Sequence, residues 1–88
     1  MANIIEEFLD KREYAFTKDI VWTTDTLKVE TYSISGDETI DGLKLRIMVY
    51  TAYMNDIPFA QDFEIRSNRG AVHKTSVNEI FEVLRMFL

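Results

Sequence analysis

Eighty-eight residues suffice for one domain, residues 1–88, and leave no room for a second. Hydrophobic residues make up 47% of the chain, which excludes intrinsic disorder, and the lack of cysteine excludes a disulfide framework, a thiolate zinc site and a cysteine nucleophile. The net charge of −5 comes entirely from residues 1–44, and an acidic surface of this kind repels nucleic acid and anionic membranes while favouring basic partners.

The first predicted element is a helix over residues 3–12. Ile4, Ile5, Phe8 and Leu9 fall on one stripe, Asn3 is the predicted N-cap and Glu6 its capping-box partner. Residues 14–19 read as a connector whose Tyr14 and Phe16 pack beneath a sheet. Ile20 to Thr23 form a short strand, and Thr24-Asp25 a turn into a longer one, Leu27 to Ser35. In that strand Leu27 and Val29 are out of phase with Tyr32 and Ile34, which predicts a β-bulge or a strong twist near Thr31.

Residues 35–42 are the clearest loop. The strand that follows, Leu43 to Met54, is apolar along one face, and its second half is apolar on the other as well (Met48, Tyr50, Ala52, Met54). Asn55 to Pro58 read as a turn, and Phe59 to Arg66 as a half-buried strand paired back on its predecessor. After a turn at residues 67–70, Ala71 to Lys74 form either a short edge strand or an extended approach to the last helix. Ser76-Val77-Asn78-Glu79 then opens a last helix as a capping box, with an apolar stripe of Val77, Ile80, Phe81, Leu84, Phe87 and Leu88. The expected fold class is α+β, an antiparallel meander of three to four strands with the N-terminal and C-terminal helices packed on one face.

The N-terminus has acids where a signal peptide needs bases, and the longest charge-free stretch, residues 47–55, is too short to span a bilayer. A cytoplasmic location is the expectation, with no membrane partner. The single histidine, His73, lies near Ser76 and Glu79, but those two residues are accounted for by the helix start. Asp37, Glu38 and Asp41 share a loop that lacks the alternating oxygen ligands and closing glutamate of a calcium-binding loop. No phosphate-binding glycine loop, zinc-protease motif or nucleophile elbow is present, so the expectation is a non-enzyme without cofactor or metal. Lys44, Arg46 and Arg66 can make a basic strip on the open sheet face. Asp62 and Glu64 interrupt it, which argues against direct nucleic-acid binding.

Two candidate partner-binding surfaces remain. One is acidic: Glu6, Glu7, Asp10 and Glu13 with the loop acids Asp37, Glu38 and Asp41, suited to a basic nucleic-acid-binding protein. The other is apolar: Met48, Tyr50, Met54 and Met86, exposed if both helices cover the same face, unless Trp22 lies over it. In size, acidity and lack of catalytic motifs the chain resembles, as a type, the small proteins that phages encode to bind and block host machinery, anti-CRISPR and other anti-defence proteins among them. That likeness implies a non-enzymatic inhibitor of a macromolecular partner. The alternative is an assembly subunit that forms a homodimer through its open sheet face.

Overall fold

The computed structural model of the chain describes residues 4–40 and 42–88. Its elements are α1 (Ile4–Lys11), β1 (Thr17–Thr24), β2 (Leu27–Ile34), a 3-10 turn (Gly36–Glu38), β3 (Leu45–Met54), β4 (Ile57–Ser67), β5 (Gly70–Lys74) and α2 (Val77–Phe87). The strands form one antiparallel sheet in sequence order, β1-β2-β3-β4-β5. The α+β meander with two helices on one face is therefore present, built from five strands rather than three to four. The added strand is β5, whose five residues pair with Phe63–Ser67 of β4.

Both helices bury one stripe against the sheet. Ile5 and Leu9 of α1, and Ile80 and Leu84 of α2, meet Tyr32, Ile34, Leu45, Ile47, Val49, Phe63 and Ile65, all almost fully buried. Phe8 stacks on Phe81 with ring centroids 5.0 Å apart and joins the helices to each other. Burial of these aromatic and branched side chains contributes about 1.5–3 kcal/mol each. At the same end, the Tyr14 hydroxyl donates to the Leu88 carbonyl at 3.0 Å, and Ile40 N–H donates to the Phe87 carbonyl at 2.7 Å.

The helices stop short of the strands. An eleven-residue helix rises about 16 Å, whereas ten extended residues reach about 33 Å. The turns that join β1 to β2 and β3 to β4 project beyond the helices, and the molecule is elongated, 41 × 23 × 22 Å. This explains the phase change in β2, where the structure shows unbroken pairing with β3 from Leu27 to Ile34 and no bulge near Thr31. Tyr32 and Ile34 face the helices. Lys28 and Glu30 point to the same side beyond the helices, so there Leu27 and Val29 turn their apolar side chains to the open face. The register shifts lie elsewhere, between Trp22 and Thr24 in β1 and between Ala52 and Tyr53 where β3 meets β4.

Other sequence expectations are corrected locally. β1 begins at Thr17, before the predicted Ile20, and β4 begins at Ile57, so Pro58 lies inside a strand. The outer side of that stretch carries no neighbouring strand, which is where a missing N–H is tolerated. The tight turn is Asn55-Asp56, with φ of 53° and 65°, as a two-residue type I′ hairpin requires. Ser76 precedes α2 in extended conformation, but its side chain makes no capping hydrogen bond, and Glu79 pairs with Lys74 instead. The predicted cap Asn3 and the loop acid Asp41 lie outside the described residues.

α1 ends in a Schellman arrangement. Glu13 has φ 60°, Glu13 N–H bonds the Asp10 carbonyl, and Tyr14 N–H reaches back to the Leu9 carbonyl at 3.0 Å. This left-handed position favours glycine. Gly36 is fixed for another reason, since a Cβ there would collide with the Gly42 carbonyl across the loop.

Phe63→Ala is expected to cost about 3–5 kcal/mol in denaturant unfolding, and Phe59→Ala, on the exposed part of the same strand, far less. Glu13→Gly is expected to raise stability by about 0.5–1 kcal/mol, because relief of left-handed strain outweighs the lost backbone restriction. A destabilised Glu13→Gly protein would contradict this account of the helix end.

Candidate binding surfaces

On the helix side, the border between the covered and bare halves of the sheet is held by a charged cluster. Glu30 is buried and lies 3.5 Å from both Lys18 and Lys28, with the Tyr32 hydroxyl 3.4 Å away. Lys18 also bonds Glu6 of α1 at 2.6 Å, which anchors that helix over the β1–β2 side. Lys28 lies over the rings of Trp22 and Tyr53, themselves 5.2 Å apart. The bond to Glu6, followed by the nearby Tyr32 and Glu30, raises Lys18 above the ordinary lysine range against the opposing effect of burial. Lys28 is raised as well, chiefly by its bond to Tyr53 and by Glu30. Trp22 thus belongs to the helix side and does not cover the open face.

The open face carries Met48 and Tyr50, both half-buried. The Tyr50 hydroxyl donates to Glu64 at 3.2 Å and rests 3.6 Å from the Met48 sulfur, while Arg66 donates to the same carboxylate oxygen at 2.7 Å. Burial, followed by the Glu64 charge, pushes the Tyr50 hydroxyl pKa up. Val21, Leu27, Val29 and Ala52 continue this face toward the hairpin turns. Toward the helix end, Arg46 faces Arg66 across the strands, so the predicted basic strip is real in position but short. Met54 is exposed at the β3–β4 turn and Met86 is exposed on α2, on the other side of the sheet from Met48. These four residues do not make one patch.

The acidic candidates are divided too. Glu7 and Asp10 are exposed along α1 and Glu13 just beyond its end, whereas Glu6 is committed to Lys18. Asp37 and Glu38 stand in the 3-10 turn at the helix end. His73 is on β5, opposite Glu64 and 3.9 Å from Asp62, and shares no hydrogen bond with Ser76. Among the described residues no three His, Asp or Glu side chains are grouped to hold a metal ion, and no helix is long and apolar enough to cross a membrane.

The sequence reading missed the bare end of the sheet. Ile20, Val21, Trp22, Met54, Ile57 and Phe59 are each half exposed or more, and all lie toward the two hairpin turns. Here the two sheet edges are open. All eight residues of β1 are exposed on one edge. On the other, β5 ends at Lys74 opposite Phe63, so residues 57–62 of β4 pair only with β3. Beside that stretch lies a groove of about 480 Å³ lined by Pro58, Phe59, Ala60, Gln61, Phe63, Thr75 and Val77. The signal was available in the predicted lengths: a strand from Phe59 to Arg66 cannot be paired throughout by one from Ala71 to Lys74.

Comparison with family models, with curated proteins and with solved structures gave no match to this chain.

Lys18, Lys28 and Tyr50 all have folded pKa values above their ordinary ones. Each contributes stability that is complete below its ordinary pKa and lost as pH rises through its folded value. Thermal stability is therefore expected to decline above about pH 10, and Glu6→Gln to flatten the part that Lys18 supplies. A melting temperature that climbs between about pH 10 and 11.5 would contradict the assignment.

Proposed function

We propose that the protein is a non-catalytic binding module that takes up an extended segment of a protein partner along the unpaired half of β4. The observation that supports this most directly is the early end of β5. Beyond Lys74 the β4 backbone has a free outer edge, and the groove beside it is floored by Phe63 and flanked by Phe59 and Val77. A strand added there would continue the line of β5. Its backbone would bond the β4 edge, and alternate side chains would enter the groove.

The chemistry of the segment follows from what surrounds the site. An apolar side chain suits Phe59, Phe63 and Val77. Basic flanking residues suit the exposed Asp56 and Asp62. A basic protein, such as one that binds nucleic acid, fits this description, and occupation of such a segment would block or modulate it.

The test compares proteins captured from a lysate of the producing organism by three immobilised forms. A partner held by the wild type is expected to be lost from Phe59→Lys, whose charge enters the groove, and retained by Glu7→Lys on α1. Backbone amides of residues 57–62 should gain protection from hydrogen exchange when that partner is bound. Retention by Phe59→Lys, or unchanged exchange at those amides, would overturn the reading.

A further inference from the structure

We infer that β1 pairs with β1 of a second copy about a two-fold axis through Val21, joining two sheets into one continuous antiparallel sheet. The inference concerns the sheet edge opposite to the β4 groove and stands whether or not that groove binds a partner.

The edge is long, and its one irregularity, the register shift between Trp22 and Thr24, lies at its far end. Sheets usually blunt their edges with lysine, proline, a covering loop or an inward-pointing charge. β1 has no proline, and its one lysine is turned onto the helix side, where it bonds Glu6 and approaches Glu30. Asp19 is the only other charge. The centre of the edge is Ile20, Val21 and Trp22, exposed at 50%, 54% and 52%, so a row of backbone groups is offered between three large apolar side chains.

Geometry restricts how two such edges can join. Antiparallel strands related by a two-fold axis at a common edge require the axis to stand perpendicular to the sheet. Facing residues then lie on the same side of the sheet, so the axis must pass through a residue position rather than between two. Through Asp19 it would bring two carboxylates together. Through Ile20 it would set Asp19 against Val21. Through Trp22 it would set Ile20 and Val21 against the polar Thr23–Thr24 segment, where the β1 register shifts. Through Val21 it sets Ile20 against Trp22 of the second copy on the helix side and Val21 against itself on the open side. Asp19 and Lys18 then lie beside the neutral Thr23–Thr24 segment, where the β1 register shifts. This register alone matches apolar with apolar and keeps every charge away from its own copy, and such cross-strand pairs stabilise a sheet.

The same axis places all four helices on one side. Because the strands run oppositely, the helix-covered end of each copy lies beside the bare end of the other. α1, bound over the β1–β2 side by Lys18–Glu6, thereby flanks the exposed ring of Trp22 in the second copy. The half-covered face of each chain is completed by its neighbour, which makes a second copy a better occupant than an unrelated strand.

Light scattering on the purified chain over a concentration series is expected to show a monomer–dimer equilibrium. Val21→Lys sets two ammonium groups on the axis and should weaken the dimer by about tenfold or more, with circular dichroism unchanged. Because the chain lacks cysteine, the register can be tested by single substitution. Val21→Cys should cross-link to a dimer under mild oxidation, since directly opposed Cβ atoms lie about 4.5–5.5 Å apart, near disulfide reach. Asp19→Cys should not, since its counterpart would stand four residues away along the strand, about 13 Å. A monomer at every concentration, a dimer indifferent to Val21→Lys, or cross-linking at Asp19→Cys in place of Val21→Cys would overturn the inference.

Discussion

A sheet face can be sealed by helices only as far as the helices reach, and in this protein they reach about half the length of β3 and β4. Much of the molecule follows from that mismatch. Under α1 and α2 the sheet side chains are Tyr32, Ile34, Leu45, Ile47, Val49, Phe63 and Ile65, packed without polar interruption. Where cover ends, the same face changes to Lys28, Glu30 and Thr51. Glu30 is tolerated there because two lysines and the Tyr32 hydroxyl surround it, and Thr51 because Gln61 bonds its hydroxyl at 3.2 Å. Past this polar seam lie the exposed Trp22 and Phe59 and the half-buried Tyr53, apolar again.

The two edges of the sheet are left in different states by the same economy of length. β4 is open because its partner strand ends early, which leaves a bounded gap with an apolar groove beside it. β1 is open from end to end, and the hollows beside it are lined mostly by polar residues such as Thr17, Lys18, Asp19, Thr23 and Thr24. A bounded gap suits a short segment of defined length, whereas an uninterrupted edge suits another strand like itself. Val29 belongs to the second region: it is nearly buried on the open face although no helix covers that side, because Val21 and Tyr50 crowd it from either flank.

The elements most legible in the sequence were those whose periodicity is uniform. Alternation of Leu45, Ile47 and Val49, and the stripes of Ile5, Leu9, Ile80 and Leu84, marked the buried residues correctly. β2 was misread because its pattern changes phase, and pattern reasoning attributes such a change to the strand rather than to what lies on top of it. Pro58 was taken as the end of a turn because the absence of an outer neighbour to β4 has no local signature. Glu13 in the left-handed region carries no glycine to announce it. Of the described acidic candidates Glu7, Asp10, Glu13 and Asp37 are exposed, yet Glu6 is engaged by Lys18, a partner twelve residues away that no spacing rule selects. The bare end was missed for the same reason as the phase of β2: it is a property of relative lengths, which single-residue patterns do not report.

The order of the strands also shapes how the chain reaches this state. Every strand pairs with its neighbour in sequence, so the sheet can assemble hairpin by hairpin with small loop-closure cost, and rapid formation is expected of such topology. Contacts that bring the chain ends together are few, chiefly Phe8 on Phe81 and the Tyr14 hydroxyl on the Leu88 carbonyl. A sheet formed before the helices dock lacks the cover of Ile5, Leu9, Ile80 and Leu84. In it Tyr32, Ile47 and Phe63 are uncovered while both edges are already open. Such a species is prone to associate with other chains, so docking of the helices sets how briefly that exposure lasts.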